Sequence, residues 1–120
     1  MTDQQIIKTL AKKVLGWKEM DSIFYEDAES FPSFYFMKET GICGVLDRDG
    51  DGYFDYEWNP LQNIADAWML VEKLNENGIF VSIRNFDRNW ICEIGSINPI
   101  AGNAPTAQEA VSKATYKWVV

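Results

Sequence analysis

Apolar positions recur with helical spacing at both ends of the chain. Thr2 and Gln5 stand at capping-box spacing, and the residues after them place a row of apolar side chains on one helical face: Ile6, Ile7, Leu10, Ala11, Val14 and Leu15. Gly16 fits the end of this helix. Thr106 and Glu109 repeat the capping-box spacing and predict a last helix that packs through Ala107, Ala110, Val111, Ala114 and Trp118.

The middle of the chain carries strand signals. Residues 34–46 are rich in aromatic and β-branched side chains and are interrupted by two glycines, which predicts a strand pair or a kinked strand. Phe54, Tyr56 and Trp58 alternate with acidic residues, the pattern of a strand with one buried face. The stretches 79–85 and 90–94 predict an antiparallel hairpin around a polar turn at 87–89, whereas 18–33 and 96–104 predict loops.

A further helix is predicted between these strands. Asn59 fits an N-cap, with Pro60 at the first helical position and Gln62 as the capping partner. Gly78 supplies the end, and the predicted inner face consists of Ile64, Ala67, Trp68, Val71 and Leu74. Helices near the ends and strands between them predict one α+β domain over residues 1–120: a central antiparallel β-sheet with hairpins, packed by N-terminal, middle and C-terminal helices into a layered α/β sandwich.

Composition and charge remove several classes of function. The net charge of −7 disfavours nucleic-acid binding, which depends on Lys and Arg. The absence of histidine excludes His-dependent triads, and the two distant cysteines, Cys43 and Cys92, predict buried free thiols rather than a zinc site. No apolar run reaches the length of a membrane span or signal peptide, so we expect a cytoplasmic protein. The five tryptophans are expected chiefly in the core.

Three stretches of the sequence are similar to the phage ABA sandwich domain family, found in phages and prophages of low-GC bacteria. They are Leu15-Gly16-Trp17, the run from Trp58-Asn59-Pro60 through Ile64-Ala65-Asp66-Ala67-Trp68 to Glu72-Lys73-Leu74, and Ala104-Pro105-Thr106-Ala107-Gln108-Glu109-Ala110. The resemblance implies a layered α/β sandwich and an origin in a mobile element. It implies no activity, cofactor or site residue.

The acidic loop around Asp47 resembles the first half of a calcium-binding loop. EF-hand positions 1, 3, 5, 7 and 9 would be filled by Asp47, Asp49, Asp51, the carbonyl of Tyr53, and Asp55. Position 12 is Trp58 instead of the required glutamate, and the flanking pattern predicts strands instead of helices.

A hairpin turn explains the same residues, because glycine accepts positive φ and aspartate bonds its own backbone. This interpretation is favoured over a calcium site built on the hairpin. A metal-dependent phosphoryl-transfer enzyme using the same carboxylates is disfavoured, since such sites are clefts built from several elements. We therefore expect a non-enzymatic binding or protein-interaction module without a cofactor, whose partner is a protein or small molecule that the sequence does not identify.

The calcium alternative has a direct test. If Asp47, Asp49 and Asp51 converge on an ion, millimolar calcium raises the melting temperature, because a ligand that binds only the folded state stabilises it, and Asp51→Ala abolishes the rise. If the carboxylates extend into water, as the hairpin interpretation predicts, thermal melts with and without calcium coincide.

Overall fold

The computed structural model describes residues 2–16, 18–20, 33–37, 43–49 and 52–120. The elements in these ranges are α1 (Asp3–Lys13), β1 (Lys18–Met20), β2 (Ser33–Met37), β3 (Cys43–Asp49), β4 (Gly52–Trp58), α2 (Ile64–Glu76), β5 (Val81–Phe86), β6 (Asn89–Ile94), β7 (Ile100–Ala104) and α3 (Ala107–Val119). Helices pack on an antiparallel sheet, which confirms the predicted α+β class.

The described strands form two sheets. One has the order β1-β2-β3-β4, in which β1 and β2 are parallel and the other neighbours antiparallel. The other is antiparallel throughout, with the order β5-β6-β7. The strand pair predicted within 34–46 is present as β2 and β3, whereas β1 lies in a stretch predicted to be a loop.

The acidic stretch forms the β3–β4 hairpin that its glycines predicted. Asp49 pairs with Gly52, and the register continues through Asp47 with Phe54 to Cys43 with Trp58. Residues 50 and 51 lie outside the described residues.

The β5–β6 hairpin closes with a tighter turn than predicted. Phe86 pairs with Asn89, so Asp87 and Arg88 alone connect the strands. Both have left-handed backbone, with φ of 52° and 64°, as a type I′ turn requires. Asn89, assigned to the turn from its polar character, is instead the first residue of β6.

The first helix follows its sequence signals. The Thr2 hydroxyl accepts a hydrogen bond from the N–H of Gln5, and the Gln5 side chain accepts one from the N–H of Thr2. The predicted apolar face is turned inward, with Ile7, Leu10 and Ala11 buried. Across the described ranges, no helix is both long and apolar enough to cross a membrane.

The predicted inner face of α2 is wrong at two positions. Its buried residues are Asp66, Ala67, Leu70, Val71 and Leu74, whereas Ile64 and Trp68 are each 48% exposed. At about 100° per residue Ile64 lies beside the buried stripe, whereas Trp68 lies on nearly the opposite side of the helix from Leu70.

The tryptophans are less buried than expected. Among the four whose side chains the structure describes, Trp58 is 1% exposed and Trp90 is half-buried. Trp68 and Trp118 are 48% and 36% exposed. The prediction therefore holds for Trp58 and Trp90 and is wrong for the other two: Trp68 lies on nearly the opposite side of α2 from Leu70, and Trp118 is in the last turn of α3.

Strand β7 lies in the stretch predicted to be a loop, and its glycine explains its position. Gly102 pairs with Cys92 on β6 and faces α3 at the point where Ala110 and Ala114 line the helix. A Cβ on Gly102 would lie 2.5 Å from the amide nitrogen of Ala114 and 2.8 Å from the carbonyl oxygen of Ala110. Only a residue without a side chain allows the strand and helix backbones to meet here.

Replacing this glycine tests the contact. Gly102→Ala pushes a methyl group into helix backbone that has no flexible side chain to give way, and we expect a loss of about 1–3 kcal/mol in the free energy of unfolding. Chemical denaturation measures the loss. The matched control, Asn103→Ala at the adjacent exposed position, should change stability by less than about 0.5 kcal/mol. Equal effects of the two substitutions would contradict the close approach.

Candidate functional site

The junction between β4 and α2 is a tight polar turn. After buried Trp58, the carbonyl of Asn59 accepts hydrogen bonds from the N–H groups of Gln62 and Asn63, at 3.3 Å and 2.9 Å. The Asn59 side-chain oxygen accepts from the N–H of Leu61 at 3.1 Å. These bonds hold residues 59–63 as a turn before the helix begins.

Two bonds from α3 fix this turn to the rest of the fold. The buried hydroxyl of Ser112 donates to the carbonyl of buried Pro60 at 2.8 Å. The Gln108 side-chain nitrogen lies 3.4 Å from the carbonyl oxygen of Gln62, to which it donates. The turn therefore has a fixed position on α3.

Helix α2 begins four residues later than its sequence signals predicted. Asn63 is the N-cap, and its side-chain oxygen accepts from the N–H groups of Ala65 and Asp66, at 2.9 Å and 3.3 Å. Asn59 and Gln62, the predicted capping pair, have the same spacing as Asn63 and Asp66. The earlier pattern was predicted because Pro60 also fits the first helical position.

Asp66 is a charged residue placed almost entirely inside the protein. It is 6% exposed, and its Oδ2 accepts a hydrogen bond from the N–H of Asn59 at 2.9 Å. Burial raises the pKa of Asp66 above its ordinary value of 3.8, and the N–H of Asn59 opposes this rise. Sequence reasoning placed Asp66 among cap and core residues and missed it as a site residue; its position three residues after Asn63 was the available signal.

Asp66 lines a pocket of about 300 Å³ together with three amide side chains, those of Asn59, Gln62 and Asn63. No basic side chain is among these lining residues. The pocket is open to solvent and polar, with the side chains of Gln62 and Asn63 exposed.

The hydrogen bonds already made determine which polar atoms the pocket offers. The oxygens of Asn59 and Asn63 accept from backbone N–H groups, so their amide nitrogens are the atoms left to donate. On Asp66, Oδ2 is engaged with Asn59, and Oδ1 has no hydrogen bond within the described part of the chain. The pocket thus combines the amide donors of Asn59 and Asn63, the carboxylate acceptor of Asp66, and the side-chain amide of Gln62, which can donate and accept.

The residues predicted to bind calcium lie elsewhere, on the β3–β4 hairpin. Asp47 and Asp49 are in β3, Tyr53 and Asp55 are in β4, and Asp51 lies outside the described residues. Asp55 pairs with Leu46, so the backbone at these positions is a strand ladder instead of a helix-flanked loop. Where side chains are described, in 2–16 and 58–120, no three His, Cys, Asp or Glu residues gather as metal ligands. The calcium site stays a prediction.

Cys92, the cysteine whose side chain the structure describes, has an unreactive thiol near neutral pH. Cys92 is free and buried in β6, as predicted. Burial, and to a lesser extent the charge of Glu93, raises the pKa of its thiol to about 11. The thiol therefore stays protonated near neutral pH and is neither a nucleophile nor a metal ligand there.

The burial of Asp66 predicts a pH dependence of stability. Because the folded pKa is raised, its protonated form stabilises the fold below the ordinary pKa, and this contribution is lost as pH rises through the folded value. We expect the free energy of unfolding of the native chain, relative to Asp66→Asn, to fall as pH rises above the ordinary pKa of 3.8. Urea denaturation across this range measures it. A difference that grows with pH would show that the Asn59 hydrogen bond outweighs burial.

The sequence and the fold both match known phage proteins. Residues 8–116 match the phage ABA sandwich domain. The crystal structure of a phage protein from Bacillus cereus ATCC 14579 is similar to this chain with a TM-score of 0.55 and 21% sequence identity, covering 97% of this chain and 90% of that one. At this identity the structural likeness concerns the fold. No curated protein matches the sequence.

Proposed function

This chain belongs to the phage ABA sandwich family, and we propose that it is a non-enzymatic binding module that holds a small polar group in the pocket between β4 and α2. The observation that carries the proposal is the Asp66 carboxylate, 6% exposed, with one oxygen engaged and the other left at the pocket. A ligand that donates to Oδ1 would meet an acceptor already in place, held by the bond from Asn59 to Oδ2.

Hydrogen bonds hold the pocket-lining residues Asn59 and Asn63 in place, which supports binding. Asn63 is fixed by the first turn of α2, and the turn carrying Asn59 is held by the buried bond from Ser112 to Pro60. Side chains that are positioned before the ligand arrives lose little conformational freedom on binding. Such a site binds without rearranging its backbone.

The lining supports a binding role over a catalytic one. Asp66 is the one titratable side chain among the four lining residues, and general acid–base catalysis ordinarily employs a second group with a different pKa. The lining also presents no cation to stabilise a developing negative charge.

Small probes in solution test the proposal. Propionamide, propionate and guanidinium are each titrated into the ¹⁵N-labelled protein, and we expect at least one to shift the backbone amide signals of residues 61–66 at millimolar concentration. Gln62→Ala removes an exposed lining amide without removing a helix cap, and it should weaken that binding about threefold. Asn75→Ala, at the exposed far end of α2, is the matched control and should leave it unchanged.

Two results would contradict the proposal. In one, none of the three probes shifts these signals. In the other, the shifts lie outside the pocket and are unaffected by Gln62→Ala.

A further inference from the structure

The two edges of the β5-β6-β7 sheet differ in how their backbone groups are engaged. At the β7 edge, the Nζ of Lys117 donates to the carbonyl oxygen of Ala101 at 3.1 Å. Pro99 and Pro105 stand directly before and after this strand. Lysine side chains and prolines are ordinary means of keeping a further strand off a sheet edge. The β7 edge is therefore protected.

The ladder between β5 and β6 shows which backbone groups of β5 face the other edge. Phe86 and Asn89 flank a two-residue turn, so they exchange hydrogen bonds with each other. The same alternation reaches the carbonyl of Phe80, which accepts from the N–H of Gly95 at 2.9 Å. The residues between these positions direct their N–H and C=O groups away from β6; they are Val81, Ile83 and Asn85.

The β5 edge carries none of the protection seen on β7. Among the described strands β6 is its one neighbour, and no side chain of the described residues bonds to its outward groups. Pairing with β6 is unbroken from Val81 to Phe86, without a bulge or a proline. The one charge in β5, on Arg84, is bonded at 2.7 Å to Glu93 on β6, away from the edge. A regular row of unpaired donors and acceptors is a template for another strand.

Two exposed phenyl groups make this edge complementary to itself. Phe80 and Phe86 are 60% and 72% exposed, and they lie three positions before and after Ile83. In an antiparallel pair of β5 strands centred on Ile83, Phe80 of each copy therefore lies opposite Phe86 of the other. Both rings point to the same face of the sheet, because their positions differ by an even number. Aromatic pairs across neighbouring strands are favourable.

The charges near β5 do not oppose such pairing. The four charged side chains of the hairpin cancel one another: Arg84, Asp87, Arg88 and Glu93. In the pair centred on Ile83, Arg84 lies opposite Ser82 of the second copy, so like charges do not face each other. Much of the net charge of −7 lies elsewhere, in the acidic stretch 47–57.

We infer that two copies of this chain pair antiparallel through β5, about a two-fold axis at Ile83, and form one continuous six-stranded sheet. Ile83 exchanges backbone hydrogen bonds with Ile83 of the second copy, and Val81 does so with Asn85. This surface is separate from the pocket, and the inference does not depend on the proposed function. A strand pair with few side-chain contacts is smaller than a standard interface, so we expect a dissociation constant in the micromolar range.

The native chain is tested by sedimentation velocity over a dilution series, in which we expect a dimer that dissociates into monomers on dilution. Amide hydrogen exchange at both ends of the series locates the contact. The N–H groups of Val81, Ile83 and Asn85 should be protected in the dimer and should exchange freely in the monomer, where they have no strand partner.

A proline placed at the edge blocks the pairing. Asn85→Pro removes an outward N–H without breaking a bond to β6, and it should weaken the dimer at least about tenfold. Asn103→Pro is the matched control: it makes the same change at an exposed, outward position of β7 and should leave the dimer unchanged.

The aromatic pair tests the centre of the contact. Phe86→Ala should weaken the dimer about tenfold, because the contact occurs twice. Phe80→Ala should have the same effect, and the double variant should be little weaker than either, since each ring has the other as its partner. Ile97→Ala, at a position 85% exposed outside the sheet, should leave the dimer unchanged.

Four results would overturn the inference. The first is a monomer at every concentration up to millimolar. The second is a dimer that both Asn85→Pro and Phe86→Ala leave intact, since it then uses another surface. The third is protection of the three amides in the monomer, which would show that the chain itself covers this edge. The fourth is additive weakening by Phe80→Ala and Phe86→Ala. If a proline variant does not fold, the alanine variants decide: equal dimerisation of Phe86→Ala and Ile97→Ala overturns the inference, and selective loss in Phe86→Ala supports it.

Discussion

The fold depends on how closely α3 approaches β7. At Gly102 the strand backbone meets the helix backbone at Ala110 and Ala114, with no room for a single methyl group between them. Because this strand pairs with β6, the same approach brings α3 over Cys92 and Ile94, both fully buried. Helices α1 and α2 also pack against α3. One small-residue contact thus sets the distance between α3 and the β5-β6-β7 sheet.

The same helix carries the pocket. Ser112 and Thr115 are fully buried on α3. The Ser112 hydroxyl donates a hydrogen bond to the carbonyl of Pro60, and the Thr115 hydroxyl donates one to the carbonyl of Val111. Buried hydroxyls are tolerated when they find such partners. Both the β5-β6-β7 sheet and the β4–α2 turn therefore contact α3. Displacement of α3 from β7 would also move the turn that positions Asn59.

The sequence predicted those parts of the fold that local chemistry decides. The capping patterns at Thr2 and Thr106 placed the starts of α1 and α3 correctly, because the side chain and the N–H that it binds are three positions apart, whereas α1 ends at Lys13, before its predicted stop at Gly16. The β3–β4 hairpin was likewise predicted from local residues, since glycine accepts the positive φ of a tight turn. By contrast, β7 has the composition of a loop, and its strand conformation depends on pairing with β6 and on the fit of Gly102 against a distant helix.

The candidate site was missed for a related reason. Two consecutive patterns, Asn59 with Gln62 and Asn63 with Asp66, each fit a helix start, and local spacing does not distinguish them. The choice is made by the turn at residues 59–63, whose carbonyls at Pro60 and Gln62 are held from α3. The burial of Asp66 follows from that choice.

The two-residue turn at Asp87 and Arg88 has a consequence for strand alignment. A two-residue turn fixes the register of β5 and β6, although its left-handed backbone is unfavourable for an arginine. Lengthening the turn by one residue would allow β6 to shift by one position against β5. After such a slip Ile91 and Glu93 would turn toward α3 in place of Cys92 and Ile94. A glutamate that now pairs with Arg84 at 2.7 Å would then enter an apolar interior without its partner. The misaligned sheet is thus excluded by the energy of burying one charge, and the strained turn and that charge together leave the hairpin a single alignment.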